Sequence, residues 1–70
     1  MVTVDAPIGG LVARTVVNEG QKVEQGQTVV VLNVMKTEIE IKAEVGGIVK
    51  SVFVKEWDEV DIGTPLVELE

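Results

Sequence analysis

The chain alternates short apolar runs with glycine-bearing polar breaks, and no window sustains a helical period. Thr37-Glu38-Ile39-Glu40-Ile41-Lys42 alternates strictly, which directs Ile39 and Ile41 inward and Glu38, Glu40 and Lys42 outward, as in a half-buried strand. Thr28-Val29-Val30-Val31-Leu32 is apolar almost throughout and predicts a strand with both faces partly covered. Valine, isoleucine and leucine dominate, and proline occurs only twice, so the expected fold is all-β.

The pattern repeats at an offset of 37 residues. Ala6-Pro7-Ile8-Gly9-Gly10-Leu11-Val12 overlies Ala43-Glu44-Val45-Gly46-Gly47-Ile48-Val49. Val17, Glu19, Val23, Gly26, Val30 and Leu32 recur as Val54, Glu56, Val60, Gly63, Val67 and Leu69. Between residues 6–33 and 43–70, ten of 28 positions are identical, where ordinary residue usage predicts roughly two. Two copies are too few for a solenoid, so one unit used twice must close around a shared core by pseudo-twofold symmetry. Val12, Val30 and Leu32 are the expected core partners of Val49, Val67 and Leu69. In both copies the inward residues change parity, from Val12 to Thr15 and Val17 and from Val49 to Val52 and Val54. A one-residue slip at the same place in each copy predicts a β-bulge that bends the strand toward closure. Short bent strands suit a flattened barrel or a sandwich of two small sheets.

Between the copies, Val34-Met35-Lys36-Thr37 leads into the alternating strand and has no counterpart in either. It joins two apolar strands and is expected to form a hairpin at the pseudo-twofold position. Tight hairpins favour Asn-Gly or Asp-Gly, because the central residues need positive φ. Here the tip carries Val34 and Met35 beside a lysine. A local rule broken without structural gain marks a place to look for function. The structural alternative makes Lys36 a charged gatekeeper and Met35 core filler. The other lysines occupy ordinary positions: Lys22 and Lys55 beside turns, Lys42 and Lys50 on solvent-facing strand positions. Only Lys36 stands on a tip at the symmetry position, where it can enter another protein's active site while the barrel stays outside.

Composition narrows the chemistry. Seventy residues make one domain (1–70) near the lower limit for a self-sufficient core, and no cysteine is present to staple it. Histidine and tyrosine are absent and Ser51 is the only serine, which removes the usual nucleophile–base pairs and soft metal ligands. No Asp-x-Asp spacing of a calcium loop occurs either. Neither a catalytic residue nor a metal site is expected. The net charge of −6 argues against nucleic acid and anionic membranes as partners. Residues 36–70 carry −5 of it and read as a solvated face. No apolar run approaches the ~18 residues of a membrane span, and no secretory signal precedes the domain, so a cytoplasmic location is the expectation.

Val34-Met35-Lys36-Thr37 resembles the Ala/Val-Met-Lys-Met signature of biotinyl domains, in the biotin/lipoyl attachment family. The flanks are similar as well: Ala6-Pro7 and Gly10, then the stretch from Val17 to Gln27. In the second half, Glu38, Ile41, Ala43, Gly47-Ile48-Val49 and Val54-Lys55-Glu56 carry the likeness. The resemblance covers essentially the whole chain. It implies a barrel-sandwich hybrid of two four-stranded antiparallel sheets, with biotin in amide linkage to Lys36 and with Val34, Met35 and Thr37 as its flanking hairpin. It implies a non-catalytic carrier that shuttles a carboxyl group from a biotin carboxylase to a carboxyltransferase after modification by a biotin protein ligase. Two other readings share the fold. A lipoyl carrier of a dehydrogenase or glycine-cleavage system typically presents Asp-Lys-Ala, and an unmodified adaptor barrel needs no Met-Lys pair.

Two positions depart from the family pattern. Thr37 stands where methionine is usual, which bears on the carboxylation step. Trp57 stands where the first copy has Gly20, in a turn where positive φ costs a non-glycine residue about 1 kcal/mol. The expectation is that Trp57 packs over neighbouring strands and caps the barrel end, with a partner contact as the alternative.

Overall fold

The computed structural model describes residues 2–70. Eight strands follow one another: β1 (Val2–Asp5), β2 (Gly10–Thr15), β3 (Lys22–Val23), β4 (Thr28–Val34), β5 (Thr37–Lys42), β6 (Gly47–Val52), β7 (Glu59–Val60) and β8 (Pro65–Leu69). No helix occurs among the described residues. The strands form two four-stranded antiparallel sheets, ordered β1-β8-β6-β3 and β5-β4-β2-β7. Adding four to each strand number converts one order into the other, so the sheets are images of each other under the sequence repeat. The symmetry also takes in β1 and β5. The strand expected to lack a counterpart has one, since Val2–Asp5 lies 37 residues before Ile39–Lys42.

The bulges obey the same rule. The register of β2 on β4 slips between Val12 and Arg14, and that of β6 on β8 slips between Val49 and Ser51. Ala13 and Lys50 are therefore the extra residues, which accounts for the parity change. A second pair of slips leaves out Val29 in β4 and Leu66 in β8.

The core is almost wholly aliphatic. Val12, Val30, Leu32, Val49, Val67 and Leu69 are all buried, together with Val23, Val29, Val60 and Leu66. No polar side chain is buried among the described residues. Burying a valine or leucine side chain is worth about 1.5–3 kcal/mol. The expected two-sided cover of β4 is found, because Val31 is buried although it stands outside the core cluster. On β5, Ile41 is buried and Ile39 is half-buried against the core.

Four tight turns connect the short strands. In each, an N–H donates back to the carbonyl three residues earlier: Gln21 to Asn18, Gln27 to Glu24, Asp58 to Lys55 and Thr64 to Asp61, at 3.0–3.1 Å. The third residue is left-handed every time: Gly20 (φ 86°), Gly26 (85°), Trp57 (72°) and Gly63 (86°). Glycine reaches this region without steric conflict, and tryptophan does not. Trp57 also fails to cap the barrel. Its N–H donates to the Val12 carbonyl at 2.7 Å, yet the residue is 64% exposed. The backbone anchor fixes the turn and leaves the indole outside.

The molecule measures 31 × 18 × 18 Å. From the β4–β5 hairpin, β5 runs away until the Ala43 N–H donates to the Gln27 carbonyl at 2.9 Å. Beyond that turn, Gly46 lies against the Val23 carbonyl and Gly47 against that of Glu70. Val2 and Leu69 are paired there. The start of β1 and the end of β8 thus meet at the pole opposite the hairpin.

Candidate functional site

The hairpin is built on the longest ladder of the molecule. From Val34↔Thr37 back through Asn33↔Glu38, Leu32↔Ile39, Val31↔Glu40 and Val30↔Ile41, the β4–β5 register leaves only Met35 and Lys36 unpaired at the tip. Met35 has φ 51° and Lys36 has φ 68°. Positive φ at both central residues is the signature of a type I′ turn, whose twist matches that of the flanking strands. The ladder demands this geometry, and the two residues supplied are poor at it. Each left-handed non-glycine residue costs about 1–2 kcal/mol.

Burial does not offset that strain. Met35 is 93% exposed, so it is not core filler. Val34 differs from the expectation of an unpartnered tip residue: it ends β4 and is half-buried against the core. Thr37 opens β5 and is exposed, as is Lys36. Among the described residues the Lys36 ammonium has no hydrogen-bond or ion-pair partner. Arg14, by contrast, pairs with Glu38 at 3.1 Å, tying β2 to β5 just below the tip. With both side chains about half exposed, that pair contributes on the order of 0.2–1 kcal/mol.

The base of the hairpin is held by close backbone approach. A Cβ on Gly10 would lie 2.8 Å from Val34 Cγ2 and 2.9 Å from the Asn33 carbonyl oxygen. Only glycine lets the start of β2 press against the end of β4. The result is a stiff pedestal carrying one exposed, unpartnered primary amine on a two-residue tip. Such an amine suits an amide bond to a carboxylic acid, because acylation removes the charge without breaking any contact. No group of three or more His, Cys, Asp or Glu residues able to hold a metal occurs among the described residues.

The structure adds residues that the sequence reading did not single out. A groove of about 370 Å³ runs beside the hairpin, and Met35, Asn33, Leu11, Glu59 and Asp61 line it. A signal was present in the repeat, since Glu59 stands where the first copy has Lys22.

Comparison with known proteins places this geometry in a family. The profile of the family described as "Biotin-requiring enzyme" matches residues 2–69. The biotin carboxyl carrier protein of acetyl-CoA carboxylase from Solanum lycopersicum is 40% identical over 67 residues, covering 96% of this chain and 96% of that protein. A biotin/lipoyl attachment protein of Bacillus subtilis is 43% identical over 67 residues, 96% of this chain and 92% of that one. The crystal structure of the urea carboxylase from Kluyveromyces lactis superimposes with a TM-score of 0.92 at 26% identity, over 99% of this chain and 6% of that chain. The chain spans only a small part of that large enzyme. With the family profile matched from end to end and the Met-Lys pair on an exposed type I′ tip, this chain belongs to the biotin-requiring enzyme family as a biotinyl domain.

Proposed function

We propose that the domain is a biotin carboxyl carrier whose cofactor is joined as an amide to Lys36. The observation that carries this reading is the tip itself: an unpartnered lysine, exposed on a strained turn that rests on a glycine-fitted base. Biotin, when bound, supplies a ureido nitrogen able to accept a carboxyl group, activated from bicarbonate with ATP, and to pass it to an acceptor. This chain's residues hold and present that group; they perform no step of the chemistry. The pedestal keeps the Lys36 amine in reach of a biotin protein ligase. It then sets the tether at a fixed height above the barrel as the domain visits a biotin carboxylase and a carboxyltransferase. Tethering on a short flexible arm gives an effective concentration in the millimolar range at each site. Acylation of Lys36 takes the net charge from −6 to −7.

Met35 flanks the attachment point, 93% exposed and left-handed, without contributing burial, so its role lies in recognition by these partner enzymes; Thr37, exposed at the start of β5, flanks it on the other side. The experiment is co-expression with a biotin ligase, followed by intact mass. One biotin per chain is expected, with none in Lys36→Arg. Modification that survives in that variant, or that maps to another lysine, overturns the assignment. A mass increase matching lipoate in the native host replaces it with the lipoyl carrier.

A further inference from the structure

The groove beside the hairpin has a composition that the other pole lacks. Asn33 of β4, Leu11 of β2 and Glu59 of β7 are in cross-strand register, forming a row across the sheet. The floor is glycine: a Cβ on Gly9 would lie 3.7 Å from Asp61 Oδ1 and 3.3 Å from the Val60 carbonyl oxygen. Met35 forms the wall nearest the tip. Leu11 is 40% exposed and supplies an apolar patch between the polar groups. The same cradle recurs at the opposite pole through Gly46, Gly47 and Ile48. There Lys22 occupies the position of Glu59, and Glu24 that of Asp61. The repeat has therefore kept the shape of the cradle and changed its charges at the end that carries Lys36, where Glu59 stands for Lys22 and Asn33 for Glu70.

The geometry points to this groove as a resting site for the head group of biotin tethered to Lys36, selective for its uncharged form; the inference rests on Lys36 as the attachment point. The head group joins a thioether ring to a ureido group with two N–H donors and one carbonyl acceptor. Leu11 and Met35 offer apolar contact to the ring. The carboxylates of Glu59 and Asp61 accept from the N–H donors, and the Asn33 amide donates to the carbonyl. Since Met35 precedes the attachment residue, the flexible arm needs only to fold back past one residue to bring the head group over the groove. A head group bearing a carboxylate in place of one N–H loses a donor and faces two like charges. Each such pair at ~4 Å in water disfavours docking about fivefold. The groove thus retains the empty cofactor and lets the loaded one extend.

The test uses amide NMR spectra at low salt of the domain with and without biotin, after intact mass has established one biotin per chain. Beyond changes at Met35, Lys36 and Thr37, shifts are expected at Gly9, Gly10, Leu11, Glu59 and Asp61. Glu59→Lys copies the residue that the fold already accepts at position 22, so its folding is preserved. In Glu59→Lys combined with Asp61→Asn, the groove shifts should fall at least fivefold while those at the tip persist. Avidin should capture biotin on that variant faster than on wild type, because the head group is free more of the time. Shifts confined to the tip in wild type, or groove shifts unchanged in the variant, overturn the resting site. Titration of the unmodified domain with millimolar biocytin (biotin on free lysine) separates the two ideas. It should shift the same groove amides wherever the covalent attachment point lies, and the absence of those shifts refutes the groove alone.

Discussion

Replacing Met35-Lys36 by Asn-Gly should stabilise the domain while destroying its function. Met35 and Lys36 are both left-handed, at φ 51° and 68°. Asparagine tolerates this region better than methionine, and glycine enters it freely. Relief of strain at Lys36 is worth about 1–2 kcal/mol, reduced by about 0.5–1 kcal/mol for the greater freedom that glycine has in the unfolded chain. A gain of about 0.5–1 kcal/mol at position 35 is reasonable for asparagine. What is lost in burial is small: Met35 is 93% exposed, so its removal forfeits no more than a few tenths of a kcal/mol at 25 cal/mol per Å². The net expectation is a gain of about 1–2 kcal/mol. For a domain of this size, each kcal/mol moves Tm by about 4–8 °C. Urea titration should show a higher midpoint with an unchanged slope, since the surface exposed on unfolding hardly differs. Modification by biotin ligase should vanish. A double variant no more stable than wild type would refute the argument that the tip is strained for presentation, and a less stable one would mean that Met35 or Lys36 makes a contact worth more than its geometry costs.

Two further outcomes follow from the symmetry. Leu32 and Leu69 are related by the repeat and both buried, so alanine at either should cost about 2–5 kcal/mol, measured by thermal melts with circular dichroism. A pair of similar, large losses is expected; a near-neutral result at one site would contradict the shared core. Gly10→Ala places a Cβ 2.9 Å from the Asn33 carbonyl oxygen and Gly47→Ala places one 2.8 Å from that of Glu70, and each should destabilise by about 1–3 kcal/mol. Only Gly10→Ala should also slow biotinylation, because only Gly10 supports the hairpin base; equal slowing in both would show that loss of stability alone is responsible.

Most of the architecture was legible because the chain states it twice. The parity change after Val12 and Val49 located both bulges at the correct strand positions, and the identities at Val30/Val67 and Leu32/Leu69 named core partners. The correspondence of β1 with β5 escaped because Val2–Asp5 and Ile39–Lys42 share no identical residue, only the alternation of apolar and polar. β3 and β7, at two residues each, are too short for any period to reveal. Trp57 was expected to cap the barrel end because a single aromatic is seldom a site by itself. A left-handed turn residue anchored by its N–H leaves the side chain little choice, and position overrode type. The β4–β5 hairpin with Met35 and Lys36 at its tip could be read from its poor turn residues. The groove could not, since its members come from β2, β4, β7 and the turns between, and only folding assembles them.

The pairing of Val2 with Leu69 at the pole opposite the hairpin has a mechanical consequence. β1 begins and β8 ends side by side, so sequence joined before the one or after the other departs from one face and leaves the tip unobstructed. With a group carried at Lys36 as proposed, the domain would act as a boom: the barrel, 31 Å in its longest dimension, would separate the anchor from the cargo, and a hinge at the base would sweep the tethered group through an arc far wider than the arm alone can reach. A barrel whose described residues include no buried polar side chain is well made for that leverage.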